Sequence, residues 1–223
     1  MVTLDRDGEV FVLNLGDAEN RFHPDWLAEV QQHLDTVSAA EGPRALVSCA
    51  TGKFFSSGLD LDWLSQHTDQ LAGYVGATHH LFDRVLAMPV PTVAALQGHT
   101  FAGGAMLALA HDFRVMRADR GYFCLPEVDI NIPFTRGMAA LIQSRLSKKT
   151  AHEAMTTGRR YGGTDALSAG IIDAVAHEDD VLSAALEMAR SLVGKAGPTL
   201  GTIKSRMYAP ALEVLRDTAA PLD

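Results

Sequence analysis

Thr92-Val93-Ala94-Ala95-Leu96-Gln97-Gly98-His99-Thr100-Phe101-Ala102-Gly103-Gly104-Ala105-Met106-Leu107-Ala108-Leu109-Ala110 contains a buried strand, a glycine break and a helix of small residues in sequence. An apolar run of strand length ended by glycine reads as a core strand. The helix from Gly103 to Ala110 carries so little side-chain bulk that it must lie close to another part of the backbone.

The same alternation extends to both sides. Val10-Phe11-Val12-Leu13-Asn14-Leu15 reads as a strand, Asn20 to Pro24 as a turn, and Leu27, Val30, Leu34 and Val37 recur at helical spacing after Pro24. Ala45-Leu46-Val47-Ser48-Cys49 is a further buried strand, and it feeds a loop over Phe54–Asp60. Leu71, Val75, Leu81 and Val85 mark a longer helix that ends before Pro89 and Pro91, and Phe113-Arg114-Val115-Met116 is another strand. From Gly137 the pattern is helical, through Ala151 to Thr157 and Thr164 to Ala169 with Gly170 as a C-terminal cap. Ile171 to Val175 adds a short strand, and Asp179 to Val193 and Pro198 to Leu215 close the chain as helices. Strand–helix alternation predicts an α/β fold, a mostly parallel sheet under helical cover with a helical C-terminal part. The 223 residues fit one domain, with no internal repeat or linker.

Composition narrows the function classes. A net charge of −8 disfavours nucleic acid and anionic membranes as partners, yet leaves room for an anionic ligand held by local cations and backbone amides. No apolar run approaches the ~20 residues that span a bilayer. Two cysteines, Cys49 and Cys124, have no metal-ligand spacing and read as reduced core thiols. No basic-then-apolar leader and no Ser-Lys-Leu address are present at the ends, so the expected location is cytoplasmic. His79-His80, His99 and His111 form no ligand pattern with a neighbouring acid, so no metal is expected.

Two glycine-flanked turns, each after a buried strand, can aim backbone N–H groups into a shared cleft, which is what an oxyanion hole requires. Some two dozen residues on, Glu127 lies among Phe123, Cys124, Leu125, Pro126, Val128 and Ile130. A partly buried carboxylate with a raised pKa is expected there, suited to proton abstraction near neutrality.

Phe54-Phe55-Ser56-Ser57-Gly58-Leu59-Asp60, Gly98 to Gly104 and Leu125-Pro126-Glu127-Val128-Asp129, in this order and spacing, resemble the motifs of the crotonase (enoyl-CoA hydratase/isomerase) family. The resemblance runs from about Val10 to about Val193. It implies a spiral of ββα units over about 1–193, with 194–223 as a C-terminal helical segment of the same domain. Ser57 and Gly103 are then the oxyanion donors toward an acyl-CoA thioester, and Glu127 is the acid–base residue. Arg21, Phe22, Leu59, Asp60, Leu61 and Gly104 are the expected substrate-binding positions. No cofactor is implied, coenzyme A being part of the substrate, and a homotrimer or hexamer is. Met106 stands where the hydratases of the family carry one of two glutamates, and nothing acidic occurs between Asp129 and Glu153. Glu127 alone therefore suits a Δ3,Δ2-enoyl-CoA isomerase, similar to the monofunctional members. The alternatives are hydration, thioester hydrolysis, decarboxylation or non-catalytic acyl-CoA binding on the same fold. Asp129 is expected to be structural, Asp112 to brace a neighbouring element, and Lys148-Lys149 and Lys204–Arg206 to be solvated or to meet CoA phosphates. Ser57 is not expected to be a nucleophile. Asn131 replaces a glycine common in relatives, which leaves the shape of the acyl pocket open.

Overall fold

The structure is a computed structural model that describes residues 1–217 and 222. Its strands are β1 (Thr3–Asp7), β2 (Val10–Asn14), β3 (Ala45–Cys49), β4 (Phe54–Ser56), β5 (Thr92–Leu96), β6 (His99–Phe101), β7 (Phe113–Arg117), β8 (Phe123–Cys124) and β9 (Ala174–Ala176). The helices are α1 (Pro24–Ala39), α2 (Leu61–Gln66), α3 (Leu71–Ala87), α4 (Gly103–Ala110), α5 (Arg136–Arg145), α6 (Lys148–Thr157), α7 (Gly163–Ser168), α8 (Val181–Arg190), α9 (Pro198–Met207) and α10 (Ala209–Leu215).

Two sheets form, ordered β1-β2-β3-β5-β7-β9 and β4-β6-β8. Among the described strands the β1–β2 hairpin alone is antiparallel and the other strand pairings are parallel, with one isolated antiparallel bridge between Phe123 and Tyr161. The first turn gives both its strands, β1 and β2, to the large sheet; the next three, β3-β4, β5-β6 and β7-β8, each give one strand to the large sheet and one to the small sheet before a helix. This is the spiral of ββα units expected from the motifs.

The middle of the large sheet is buried on both faces, which is why β3 and β5 read as nearly continuous apolar runs rather than as alternating ones. One face, through Leu46, Ala94, Leu96 and Met116, joins the main core with α1, α3, α4 and α5. The other, through Val47, Val93, Ala95 and Val115, is covered by Val181, Ala185 and Ala189 of α8. All eight residues of α4 are buried, so its small side chains serve close packing on every side.

Three features differ from the sequence reading. Strand β1 carries the sequence TLDRD and is almost wholly exposed, so it has no apolar pattern to reveal it. Strands β4, β6 and β8 have two or three residues each, too few for a period to register. The last helical stretch is two helices separated at Tyr208, with Pro210 in the first turn of α10. Gly170, at φ +69°, does end α7, with the N–H of Ile171 reaching the Ala166 carbonyl.

Lys204 corrects another expectation. It is only 2% exposed, and its ammonium lies 2.9 and 3.0 Å from the two carboxylate oxygens of Asp112. Asp112 in turn accepts from the N–H and hydroxyl of Thr92, so it braces β5 and α9 together. Burial holds the Lys204 pKa below the usual lysine range, with Asp112 opposing that shift. Lys204→Ala leaves the acid without its cation and is expected to cost about 3 kcal/mol in urea denaturation. A change under ~1 kcal/mol, the range of an exposed ion pair, would show the pair to be solvated. Lys148 and Lys149 are exposed, as expected.

No helix among the described residues is long and apolar enough to cross a membrane.

Candidate active site

Close backbone contact builds the site. Gly58 has φ +84°, and a Cβ on it would lie 2.4 Å from the backbone nitrogen of Gly103. A Cβ on Gly104 would lie 2.3 Å from the Ser56 carbonyl oxygen, and one on Gly103 would lie 2.9 Å from the Phe22 ring. The loop after β4 and the first turn of α4 therefore touch main chain to main chain, which no side chain would permit. Ala102, just before α4, is held at φ +50°, an uncommon conformation for an L-residue that fixes how Gly103 enters the helix.

The segment before α1 pins the loop in place. Asn20 donates from its amide to the Phe54 and Phe55 carbonyls at 3.2 and 3.0 Å, and the Ser56 hydroxyl donates to the Asn20 carbonyl at 2.7 Å. Phe22 N–H donates to the Gly58 carbonyl at 2.8 Å, and Gly58 N–H to the Ser56 hydroxyl at 3.1 Å. The sequence marks Asn20 only as the start of a turn and leaves a hydroxyl of Ser56-Ser57 free to contact substrate, whereas the Ser56 hydroxyl is buried against Asn20; a polar pair around a glycine loop is the signal that could have found this bracing.

These bonds correct the assignment of Ser57. Its N–H donates to the Glu19 carbonyl at 2.9 Å, and its hydroxyl reaches the same oxygen at 3.3 Å. Its amide is therefore engaged. The N–H groups of Leu59 and Gly103 make no hydrogen bond among the described residues, and both residues line a cavity of about 160 Å³. Ser57 and Leu61 also line it.

Glu127 is the only carboxylate in the lining among the described residues. It follows β8, is 5% exposed, and its Oε2 has no hydrogen-bond partner within the described residues. Burial pushes its pKa up to about 7. The chain turns sharply after it: Asp129 and Ile130 N–H both donate to the Pro126 carbonyl, and Ile132 N–H to the Glu127 carbonyl. Asn131 sits at φ +55° in this turn, a left-handed conformation that asparagine tolerates better than most residues. The bend sends Asp129 outward, where it is exposed and lies against Gly158. Met106, one helical turn beyond Gly103 on the same face of α4, completes the wall with a thioether.

The other expected binding residues do not line this cavity. Arg21 pairs with Glu19, Asp60 and Asp62 beside the loop. Phe22 is fully buried, its ring stacked on Trp26 at 5.0 Å. Asp60 caps α2 by accepting from Trp63 N–H at 3.2 Å, while its own N–H donates to the Tyr74 hydroxyl at 2.8 Å. Gly104 is a contact point with Ser56. A larger groove, about 550 Å³, runs between α1 and α3 past Trp63 and Tyr74, and it holds no buried acid. Among the described residues no three His, Cys, Asp or Glu side chains are placed to share a metal ion. His79 is bonded to Thr135 and His111 to Ser48 and the Leu107 carbonyl.

The Gly103 amide at the start of α4 and the Leu59 amide of the loop border a cavity with one desolvated carboxylate, an arrangement chemically able to move a proton next to a carbonyl. Residues 6–220 match the enoyl-CoA hydratase/isomerase family, and the chain belongs to it. Among its relatives, enoyl-CoA delta isomerase 3 of Arabidopsis thaliana is 37% identical over 224 residues, covering 93% of this chain and 92% of that one. Peroxisomal enoyl-CoA delta isomerase 2 of the same plant is 34% identical over 222 residues with the same coverage. The apo structure of an enoyl-CoA isomerase from Mycobacterium tuberculosis superimposes with a TM-score of 0.91 at 27% identity, over 99% of this chain and 96% of that one.

Proposed function

We propose that this protein is an enoyl-CoA isomerase that moves a double bond from C3 to C2. The observation that carries the reading is the single desolvated carboxylate, Glu127, in a cavity whose opposing helix offers Met106. The names of the two plant relatives agree with it.

The thioester oxygen of a 3-enoyl-CoA accepts from the free N–H groups of Gly103 and Leu59. The Glu127 carboxylate takes a proton from C2, and the electron pair spreads through the C2–C3–C4 system as a dienolate whose charge rests on the thioester oxygen. Two preorganised amides in a water-poor pocket are worth several kcal/mol to that charge. Glu127, now a carboxylic acid, returns the proton to C4, leaving the double bond between C2 and C3. Neither a cofactor nor a second acid enters the scheme. Hydration would need a positioned water, which a thioether cannot activate.

The test is incubation with a trans-3-enoyl-CoA, following the conjugated 2-enoyl-CoA by ultraviolet absorbance and mass. An isomerase gives a product of unchanged mass, and a product heavier by one water would move the protein to the hydratases. The pH profile follows from Glu127. Because the base must be ionised to accept the proton and its pKa lies at about 7, kcat/KM should fall about tenfold per pH unit below that value and level off above it. A flat profile down to pH 5 would remove Glu127 from the role of base.

A further inference from the structure

Burial divides the cavity into two ends. Gly103, Met106, Glu127 and Met138 are buried, whereas Leu61, Ile130 and Pro133 are exposed. With the thioester oxygen at Gly103, as under the proposed function on which this inference rests, the pantetheine arm leaves through the exposed mouth and fills it. The alkyl tail is then directed toward the two methionines. Space there is limited, because the whole cavity, mouth included, measures only about 160 Å³.

The end wall is also clamped. Met138 lies in the first turn of α5, and its N–H donates to the hydroxyl of the N-cap Thr135 at 3.2 Å. Nε2 of His79, on α3, lies 2.8 Å from that same hydroxyl oxygen. A Cβ on the intervening Gly137 would lie 2.9 Å from the His79 ring and 3.1 Å from Leu215 of α10. This turn of α5 is thus wedged between α3 and α10, so Met138 cannot withdraw with its backbone to admit a longer tail. On the other side, Met106 stands on the fully buried α4.

We propose that this enzyme is selective for short acyl chains and that Met138 sets the ceiling. The experiment measures kcat/KM for trans-3-enoyl-CoAs from four to twelve carbons and, in parallel, Kd for the saturated acyl-CoAs of the same lengths. Both should improve over the shortest chains and then worsen by about tenfold or more by ten carbons, the response of a packed wall to added methylenes. A tail lying in an open apolar groove would instead bind about fourfold tighter per added methylene. Met138→Ala should raise the ten-to-six-carbon preference about tenfold, and Met138→Leu, close in volume, should leave it near that of the wild type. Should the alanine variant fail to fold, Met138→Phe should lower the ceiling, weakening six carbons relative to four. Affinity that rises steadily to twelve carbons, or a preference indifferent to both Ala and Phe, overturns the proposal. A protein that turns over no 3-enoyl-CoA but shows the binding ceiling sinks the isomerase reading and keeps this one. Equal isomerisation of every length does the reverse.

Discussion

Glu127→Gln abolishes isomerisation while leaving the fold and acyl-CoA affinity in place. The amide keeps the shape of the side chain and its position in the cavity wall, but it cannot accept a proton from C2. The expected loss in kcat is about 10³- to 10⁴-fold, the upper part of the range for a positioned acid–base group, because no other carboxylate among the described residues lines the cavity. Stability should move the other way. The folded-state pKa is raised from 4.5 to about 7 by burial, so the unfolded chain ionises more easily than the folded one. Below pH 4.5 the carboxyl is neutral in both states and has no effect. As pH rises from 4.5 through 7, stability is lost, and above 7 the loss is complete at about 3 kcal/mol. Glutamine never ionises, so the variant should be the more stable protein at pH 8 and equal to the wild type near pH 4. Urea denaturation at the two pH values measures this directly. Equal stability at pH 8 would show that the carboxylate is hydrated, and residual activity within tenfold of wild type would show that another group is the base.

The core strands were legible because the middle of the large sheet is covered on both faces, so β3 and β5 are buried along their whole length and are largely apolar. The small sheet was not, since β4, β6 and β8 hold their places by main-chain pairing over two or three residues, and two or three residues carry no period. At the site, side-chain chemistry was easier to read than amide direction. An acid in an apolar segment announces itself, and Glu127 is buried as the sequence led one to expect. Which amide of the Ser57-Gly58-Leu59 stretch is free depends on where Glu19 and Ser56 send their oxygens, and those contacts join residues 36 to 38 positions apart or, for Ser56 and Gly58, two. The Lys204–Asp112 pair, 92 positions apart, is hidden for the same reason. A lysine in a C-terminal helix looks solvated until the helix is seen lying over the acid it meets. Asn131 shows the opposite case: expected as a departure from glycine, it adopts at φ +55° the left-handed conformation that glycine takes freely and asparagine tolerates.

Gly58→Ala should disable the site through geometry alone. Its methyl group would stand 2.4 Å from the Gly103 nitrogen and 2.9 Å from the Gly103 Cα, so either the loop or the start of α4 must shift. The loop has little freedom to retreat, held by Phe22 N–H on its carbonyl and by the Ser56 hydroxyl on its N–H. The helix is equally confined, because the Gly103 position already abuts the Phe22 ring and Gly104 abuts the Ser56 carbonyl. A displacement of the Gly103 amide by a fraction of an ångström misaims a donor that acts on the developing enolate charge, and losing one such donor costs about 10²- to 10³-fold in kcat. Left-handed strain contributes separately, about 1 kcal/mol for alanine at φ +84°. Gly8→Ala separates the two effects. Gly8 has φ +60°, and a methyl group on it would meet nothing within 4 Å, so this variant should show the same order of destabilisation and nearly full activity. If Gly58→Ala matched Gly8→Ala in kcat, the contact between loop and helix would be packing only, and the Gly103 amide would have no part in holding the thioester oxygen.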